Sequence, residues 1–147
     1  MEISKVYKEF KMIGLKGTGK YTKFGRDVPL LAQKLMSRSN EIKHHLGTEI
    51  ALFEPKQGSS HVIGTFYVGL LVEHSTDEVP DGMERVETKK QYVTTKGYIS
   101  DIGNLHQSLV SWIELQGLKR DITSFIVETY HPREGQEEEV HIYLPVI

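Results

Sequence analysis

Two neighbouring segments decide the fold: Phe125-Ile-Val-Glu-Thr-Tyr-His-Pro132 and Glu139-Val-His-Ile-Tyr-Leu-Pro-Val146. Both are rich in β-branched and aromatic residues and alternate with a period of two, the pattern of half-buried strands. In the second, Val140, Ile142, Leu144 and Val146 share one face, while His141 and Tyr143 point to the other. In the first, Phe125 and Val127 oppose Ile126, Glu128 and Tyr130. The charged, glycine-containing connection Arg133-Glu-Gly-Gln-Glu-Glu138 reads as a solvated hairpin loop. If helices cover the Val/Ile face, the other face presents Glu128, Tyr130, His141 and Tyr143 together.

Working outward, Ile102, Leu105, Leu109, Trp112 and Ile113 form an apolar stripe at helical spacing. Ser100 or Asp101 stands where a cap belongs, and Gly117 where a left-handed C-terminal residue is expected. A strand, Gln91-Tyr-Val-Thr-Thr95, precedes this helix. The first half repeats the order. Phe10-Lys-Met-Ile-Gly-Leu15 reads as a strand, followed by a helix capped by Asp27 with Pro29 in its first turn and an apolar stripe of Val28, Leu31, Ala32, Leu35 and Ile42. Strands Ile50-Ala-Leu-Phe-Glu-Pro55 and Gly64-Thr-Phe-Tyr-Val-Gly-Leu-Leu-Val72 come next. The expectation is one α+β domain over residues 1–147, built from strand-helix-strand-strand pseudo-repeats at about 6–73 and 84–147. Glu73 to Gly82 links them. The repeats form one antiparallel sheet with helices on one face and a central ligand groove.

With 18 Lys+Arg against 20 Asp+Glu, the net charge is −2 and the pI near 6.4, which excludes a basic nucleic-acid-binding chain. There is no cysteine, so no disulfide, thiolate nucleophile or cysteine-held metal site. The longest apolar run, Phe66 to Val72, falls far short of the roughly 20 residues of a membrane span. The first residues lack the apolar core of a signal peptide. A cytoplasmic location, with no membrane contact and no direct nucleic-acid binding, is therefore expected.

Gly14-Leu-Lys-Gly-Thr-Gly-Lys20 approaches a phosphate loop, but Tyr21 stands where Ser or Thr must hold magnesium. It reads instead as a flexible strand–helix connection. The seven histidines form no H-E-x-x-H motif, His44 and His45 diverge on a helix, and His131 and His141 meet only if the last hairpin's register brings them together. No G-x-S-x-G elbow is present. No cofactor or metal is expected.

Glu128 is the most informative residue, because it interrupts an apolar strand. Burial of an unpaired carboxylate is costly and raises its pKa. Either cross-strand partners hold it, or it has a functional role. Such a role would be to meet a cationic or hydrogen-bonding ligand in an aromatic groove, or to act as a general base toward water. Tyr130, Tyr143, Tyr67 and Phe53 are candidate groove walls, Trp112 sits on the core stripe of its helix, and Glu137-Glu-Glu139 reads as a solvated loop.

These segments resemble the GyrI-like small-molecule-binding domain, also the effector-binding domain of AraC- and MerR-type transcription regulators. The resemblance rests on Phe66-Tyr-Val-Gly-Leu-Leu-Val72, Val79-Pro-Asp-Gly-Met-Glu84, Gln91-Tyr-Val-Thr-Thr-Lys-Gly97, Leu109-Val-Ser-Trp-Ile113 with Gly117, Val127-Glu-Thr-Tyr130 and Val140-His-Ile-Tyr-Leu-Pro-Val146. It implies two units related by a pseudo-twofold, with a groove where they meet, opposite the helices. It also implies hydrophobic, often cationic ligands held against an acidic residue, which Glu128 matches. The chain departs from the family at Ala32, near a common Trp, and at Thr94 or Thr95, in place of a Phe.

The expected function is a free-standing protein that binds hydrophobic, cationic or aromatic compounds, in transcription regulation or xenobiotic and multidrug resistance. The expected ligand set is Glu128, Tyr130, Tyr143, Tyr67, Phe53, Tyr92, Trp112 and His141. One alternative is a hydrolase of cyclopropane-containing or electrophilic xenobiotics with Glu128 as its catalytic general base. Another is a gyrase-interacting inhibitor. A regulatory role would require a protein partner, either a regulator or gyrase.

Overall fold

A computed structural model describes residues 1–74 and 78–147. Six strands carry the fold: β1 (Ser4–Lys20), β2 (His45–Phe53), β3 (Ile63–Val72), β4 (Glu84–Tyr98), β5 (Ile126–His131) and β6 (Glu139–Pro145). Helix α1 (Phe24–Met36) follows β1, and α2 (Ile102–Leu115) follows β4, each entered through a short 3-10 turn. The expected strand-helix-strand-strand order is thus present twice. The expected linker, Glu73 to Gly82, lies partly outside the described residues.

The strands form one antiparallel sheet in the order β1-β3-β2-β5-β6-β4, and β4 pairs back onto β1 so that the sheet closes on itself. Closure gives the two faces different fates. The outer face carries the helices: α1 packs on Ile13, Leu15, Phe66 and Val68, and α2 on Val93, Val140, Ile142 and Leu144. The inner face is filled by Phe10, Met12, Ile50, Leu52, Tyr92, Val127 and Tyr143. Phe10, Tyr92 and Tyr143 meet edge to face there, with centroids 4.9–5.9 Å apart, a favoured arrangement of ring quadrupoles.

The register corrects one expectation. Directly paired residues on neighbouring strands share a face, and Val127 pairs with Tyr143 while Glu128 pairs with Ile142 and Tyr130 with Val140. Glu128 and Tyr130 therefore lie on the helix-covered face, away from Tyr143 and His141. The alternation of each strand was legible, but not which residue of one strand stands opposite which residue of the next.

The other departures are local. β1 runs straight through Gly14 to Lys20, so the glycine-rich stretch is strand rather than loop. Helix α1 begins at Phe24, which puts Asp27 in the first turn instead of at the cap. A carboxylate there still faces the positive end of the helix dipole. The helix stops at Met36, and Ile42 reaches the core from beyond a second 3-10 turn. At the start of α2, Asp101 makes no cap hydrogen bond to the backbone and accepts one from the Asn104 side chain at 2.7 Å. Gly117 behaves as expected: its φ of 68° closes α2, and Leu118 N–H donates to Ile113 O at 3.0 Å.

The segment between α2 and β5 is pinned by Asp121. This buried carboxylate accepts hydrogen bonds from Lys90 Nζ (2.6 Å), Thr123 N–H (3.0 Å), Thr123 Oγ1 (2.6 Å) and Ser124 Oγ (2.7 Å). The Lys90 ammonium, followed by the two hydroxyls, holds its pKa well below the usual carboxylate range. Asp121→Asn would turn an amide N–H toward the ammonium and should cost about 2–3 kcal/mol in urea unfolding at pH 7. Because the folded pKa is depressed, this stability exists above the unfolded carboxyl pKa of about 4 and fades as the pH falls below it. The gap between wild type and variant should therefore shrink in acid.

Candidate functional site

The sheet is unroofed where its two halves meet. β2 of the first unit pairs with β5 of the second, with Ala51 opposite Glu128 and Glu49 opposite Tyr130. Above this pair, α1 and the start of α2 stand apart and leave a cavity of about 640 Å³. That volume falls within the range of small-molecule sites, about 300–1,000 Å³. The walls are apolar: Phe24, Val28 and Ala32 from α1, Phe53 from β2, Val68 from β3, and Ile99 with Ile102 at the start of α2.

Three carboxylates, Glu49, Glu128 and Glu138, and the phenol of Tyr130 are set into these walls, and among the described residues no Lys, Arg or His lines them. Glu128 is 6% exposed. Its Oε1 accepts a hydrogen bond from the Tyr130 hydroxyl at 2.6 Å, and its Oε2 lies 2.6 Å from His106 Nε2 on α2. Among the described residues no Arg or Lys forms an ion pair with it; its partner is His106. Burial, followed by the charge of Glu128, pushes the Tyr130 phenol well above its ordinary pKa. Tyr130 therefore stays a donor at any working pH and fixes the orientation of the carboxylate. Burial also raises the pKa of Glu49, and the nearby charge of Glu138 adds to the rise.

Of the eight residues singled out from sequence, Glu128, Tyr130 and Phe53 line this cavity. The other five do not. Tyr92, Tyr143 and Tyr67 belong to the inner layer, where Tyr67 stacks edge to face on Phe125 at 5.7 Å. Trp112 packs against the α2 side of the outer core. His141 faces away, 2.8 Å from Glu139 and stacked on His131 at a centroid distance of 3.9 Å. Opposite the helices, where the groove is expected, packed rings of Phe10, Tyr92 and Tyr143 fill much of the face. A recess of about 390 Å³ lined by Thr94, Lys96, His141 and Tyr143 remains there, and the apolar cavity lies on the helix side of the seam.

Sequence reasoning missed Glu49, Glu138 and His106. Glu49 alternates with Ala51 and Phe53 in β2, so period two alone aligns it with the cavity wall. Glu138 hides in an acidic run that reads as solvated loop. Its neighbours behave differently: Glu137 accepts from Ser100 N–H at 2.6 Å, and Glu139 pairs with Arg133 and His141. His106 gives no signal, because a lone helical histidine next to an apolar stripe is common.

No family model and no curated protein matches the chain. Solved structures do match over its whole length. SAV2435 bound to tetraphenylphosphonium aligns with a TM-score of 0.70 at 10% identity, covering 100% of this chain and 94% of that one. The EcmrR C-terminal domain aligns at 0.60 and 16% identity, covering 100% and 99%. A hydrolase from Listeria innocua aligns at 0.60 and 13%, covering 99% and 92%. At these identities the likeness establishes the fold, and it is in keeping with the GyrI-like architecture that the motifs suggest.

Proposed function

We propose that this protein binds hydrophobic organic cations in the cavity between α1 and the start of α2. One observation carries the proposal: an apolar cavity of about 640 Å³ holds three carboxylates and, among the described residues, no basic side chain. Apolar walls favour a greasy ligand, and Glu49 and Glu138, which form no ion pair among the described residues, favour a positive charge beside Glu128. The neighbour bound to tetraphenylphosphonium holds a ligand of this chemistry in the same fold. EcmrR, whose C-terminal domain shares this fold, forms a complex with DNA, which favours a regulatory use of the binding event here.

Thermal shift with tetraphenylphosphonium, with triphenylphosphine oxide as the neutral comparison, tests the reading. A ligand at a hundredfold excess over Kd stabilises the folded state by about 2.7 kcal/mol, roughly 5–10 °C for a chain of this size. The cation should give such a shift and the neutral compound much less. Equal shifts, or none, would refute the proposal. The cation's advantage should also grow from pH 5 to pH 8. The raised pKa of Glu49 means that the empty protein loses this group's contribution as the pH rises through the folded pKa. A bound cation offsets that loss by favouring the ionised form.

A second reading, hydrolysis of electrophilic compounds with Glu128 as general base, is favoured by the buried Tyr130–Glu128–His106 chain and by the hydrolase among the neighbours. Turnover of a cyclopropane-bearing substrate, lost in Glu128→Gln, is the observation that would establish it.

A further inference from the structure

A second recess, of about 390 Å³, adjoins the acidic cavity and shares Phe24, Phe53 and Glu128 with it as common walls. Its chemistry is different. Lys56, His106 and Arg120 line it, together with Glu54. The carboxylates in this recess already have donors. Thr65 N–H donates to Glu54 Oε1 at 2.9 Å and His61 Nε2 lies 3.7 Å from Glu54 Oε2, while Glu128 is held by Tyr130 and His106.

Arg120 is the anomaly. Its Nε is buried with no hydrogen-bond partner, and among the described residues no carboxylate forms an ion pair with its guanidinium. Burial draws its pKa down from the ordinary value, as expected for a charge kept from water without a counter-ion. A guanidinium N–H buried without an acceptor is costly, and Arg120, half-buried overall, leaves the rest of its fork to meet a ligand in the recess. A fork of N–H donors matches a carboxylate better than any other organic group.

We infer that the recess around Arg120 and Lys56 takes the carboxylate arm of a lipophilic cation whose body occupies the acidic cavity, so that the preferred ligands are zwitterionic. The inference rests on the cation-binding reading and extends it to the second recess. The shared walls at Phe24, Phe53 and Glu128 let one molecule enter both. The charge pattern supplies the orientation, with the cation against Glu49 and Glu138 and the anion against Arg120.

Calorimetric titration with a matched pair, butyltriphenylphosphonium and carboxybutyltriphenylphosphonium, tests this. The carboxylate-bearing cation should bind about tenfold more tightly, the value of one charge-assisted contact. Arg120→Met should bring the ratio of the two affinities back to about one, and Arg120→Lys should restore part of it. If wild-type protein binds the butyl compound but gains nothing from the carboxylate, the inference fails while cation binding stands. If neither compound binds, the cation-binding reading fails and this inference fails with it. The wild-type comparison needs no variant, so a poorly folding Arg120 substitution would not spare the inference.

Discussion

Glu128→Gln should weaken tetraphenylphosphonium binding somewhat more than a hundredfold. A phosphonium about 5 Å from a carboxylate, at an effective dielectric constant near 20, gains about 3 kcal/mol from the pair, which is that factor in Kd. The exchange is nearly isosteric. The amide oxygen still accepts from Tyr130, whose hydroxyl donates to Glu128 Oε1 at 2.6 Å, and the new amide N–H₂ faces His106 Nε2, so the shape of the site is kept while the charge and the contact to His106 change. Glu49→Gln should cost less, because burial and Glu138 already disfavour its ionised form. The measurement is calorimetric titration of the cation into wild type and variant under identical conditions. Circular dichroism of the empty variant separates a binding loss from unfolding. An undiminished affinity in Glu128→Gln would transfer charge recognition to Glu49 and Glu138 and would remove Glu128 from the site.

The helix stripes and strand alternation were legible because each depends on residues close in sequence: Leu105, Leu109 and Ile113 all reach the core, as their spacing requires. The ends of β1 and β4 were not. Ser4 to Glu9 are mostly exposed and polar, and their extended form comes from pairing with β4 rather than from an apolar pattern. The identity of Glu128 as the odd residue was readable, since a charge in Ile-Val-Glu-Thr-Tyr has no local reason. The side it faces was not. That depends on Glu128 standing opposite Ile142, a fact of register between strands, and an error of one residue exchanges the faces. The same slip explains why Tyr92 and Tyr143 read as groove walls. Their alternation was right, but closure of the sheet turns their face inward and packs Tyr92 and Tyr143 against Phe10, while the apolar cavity opens where the two helices fail to meet.

Gly14→Ala should destabilise the fold by about 4 kcal/mol or more, the range reached when a substitution collides with something that cannot move. Gly14 pairs with Gly69 across β1 and β3. A Cβ added at Gly14 would stand 1.9 Å from Val68 O and 2.5 Å from the Gly69 Cα, both backbone atoms of the partner strand. Relief would require β1 and β3 to separate in the middle of a closed sheet, breaking ladder hydrogen bonds on both sides. The glycine pattern that imitates a phosphate loop thus has a different cause: two strands approach too closely for a side chain, a recognised reason for glycine inside a strand. Gly103→Ala in α2 is the matched comparison, since nothing lies within 4 Å of its added Cβ. That exchange should leave stability unchanged or raise it by about 0.5–1 kcal/mol through helix propensity. Thermal unfolding should therefore separate the two variants, with Gly14→Ala losing roughly 10–15 °C and Gly103→Ala losing nothing. A Gly14→Ala protein as stable as wild type would mean that the two strands do not meet as closely as described, and the closed sheet that positions the cavity would have to be redrawn.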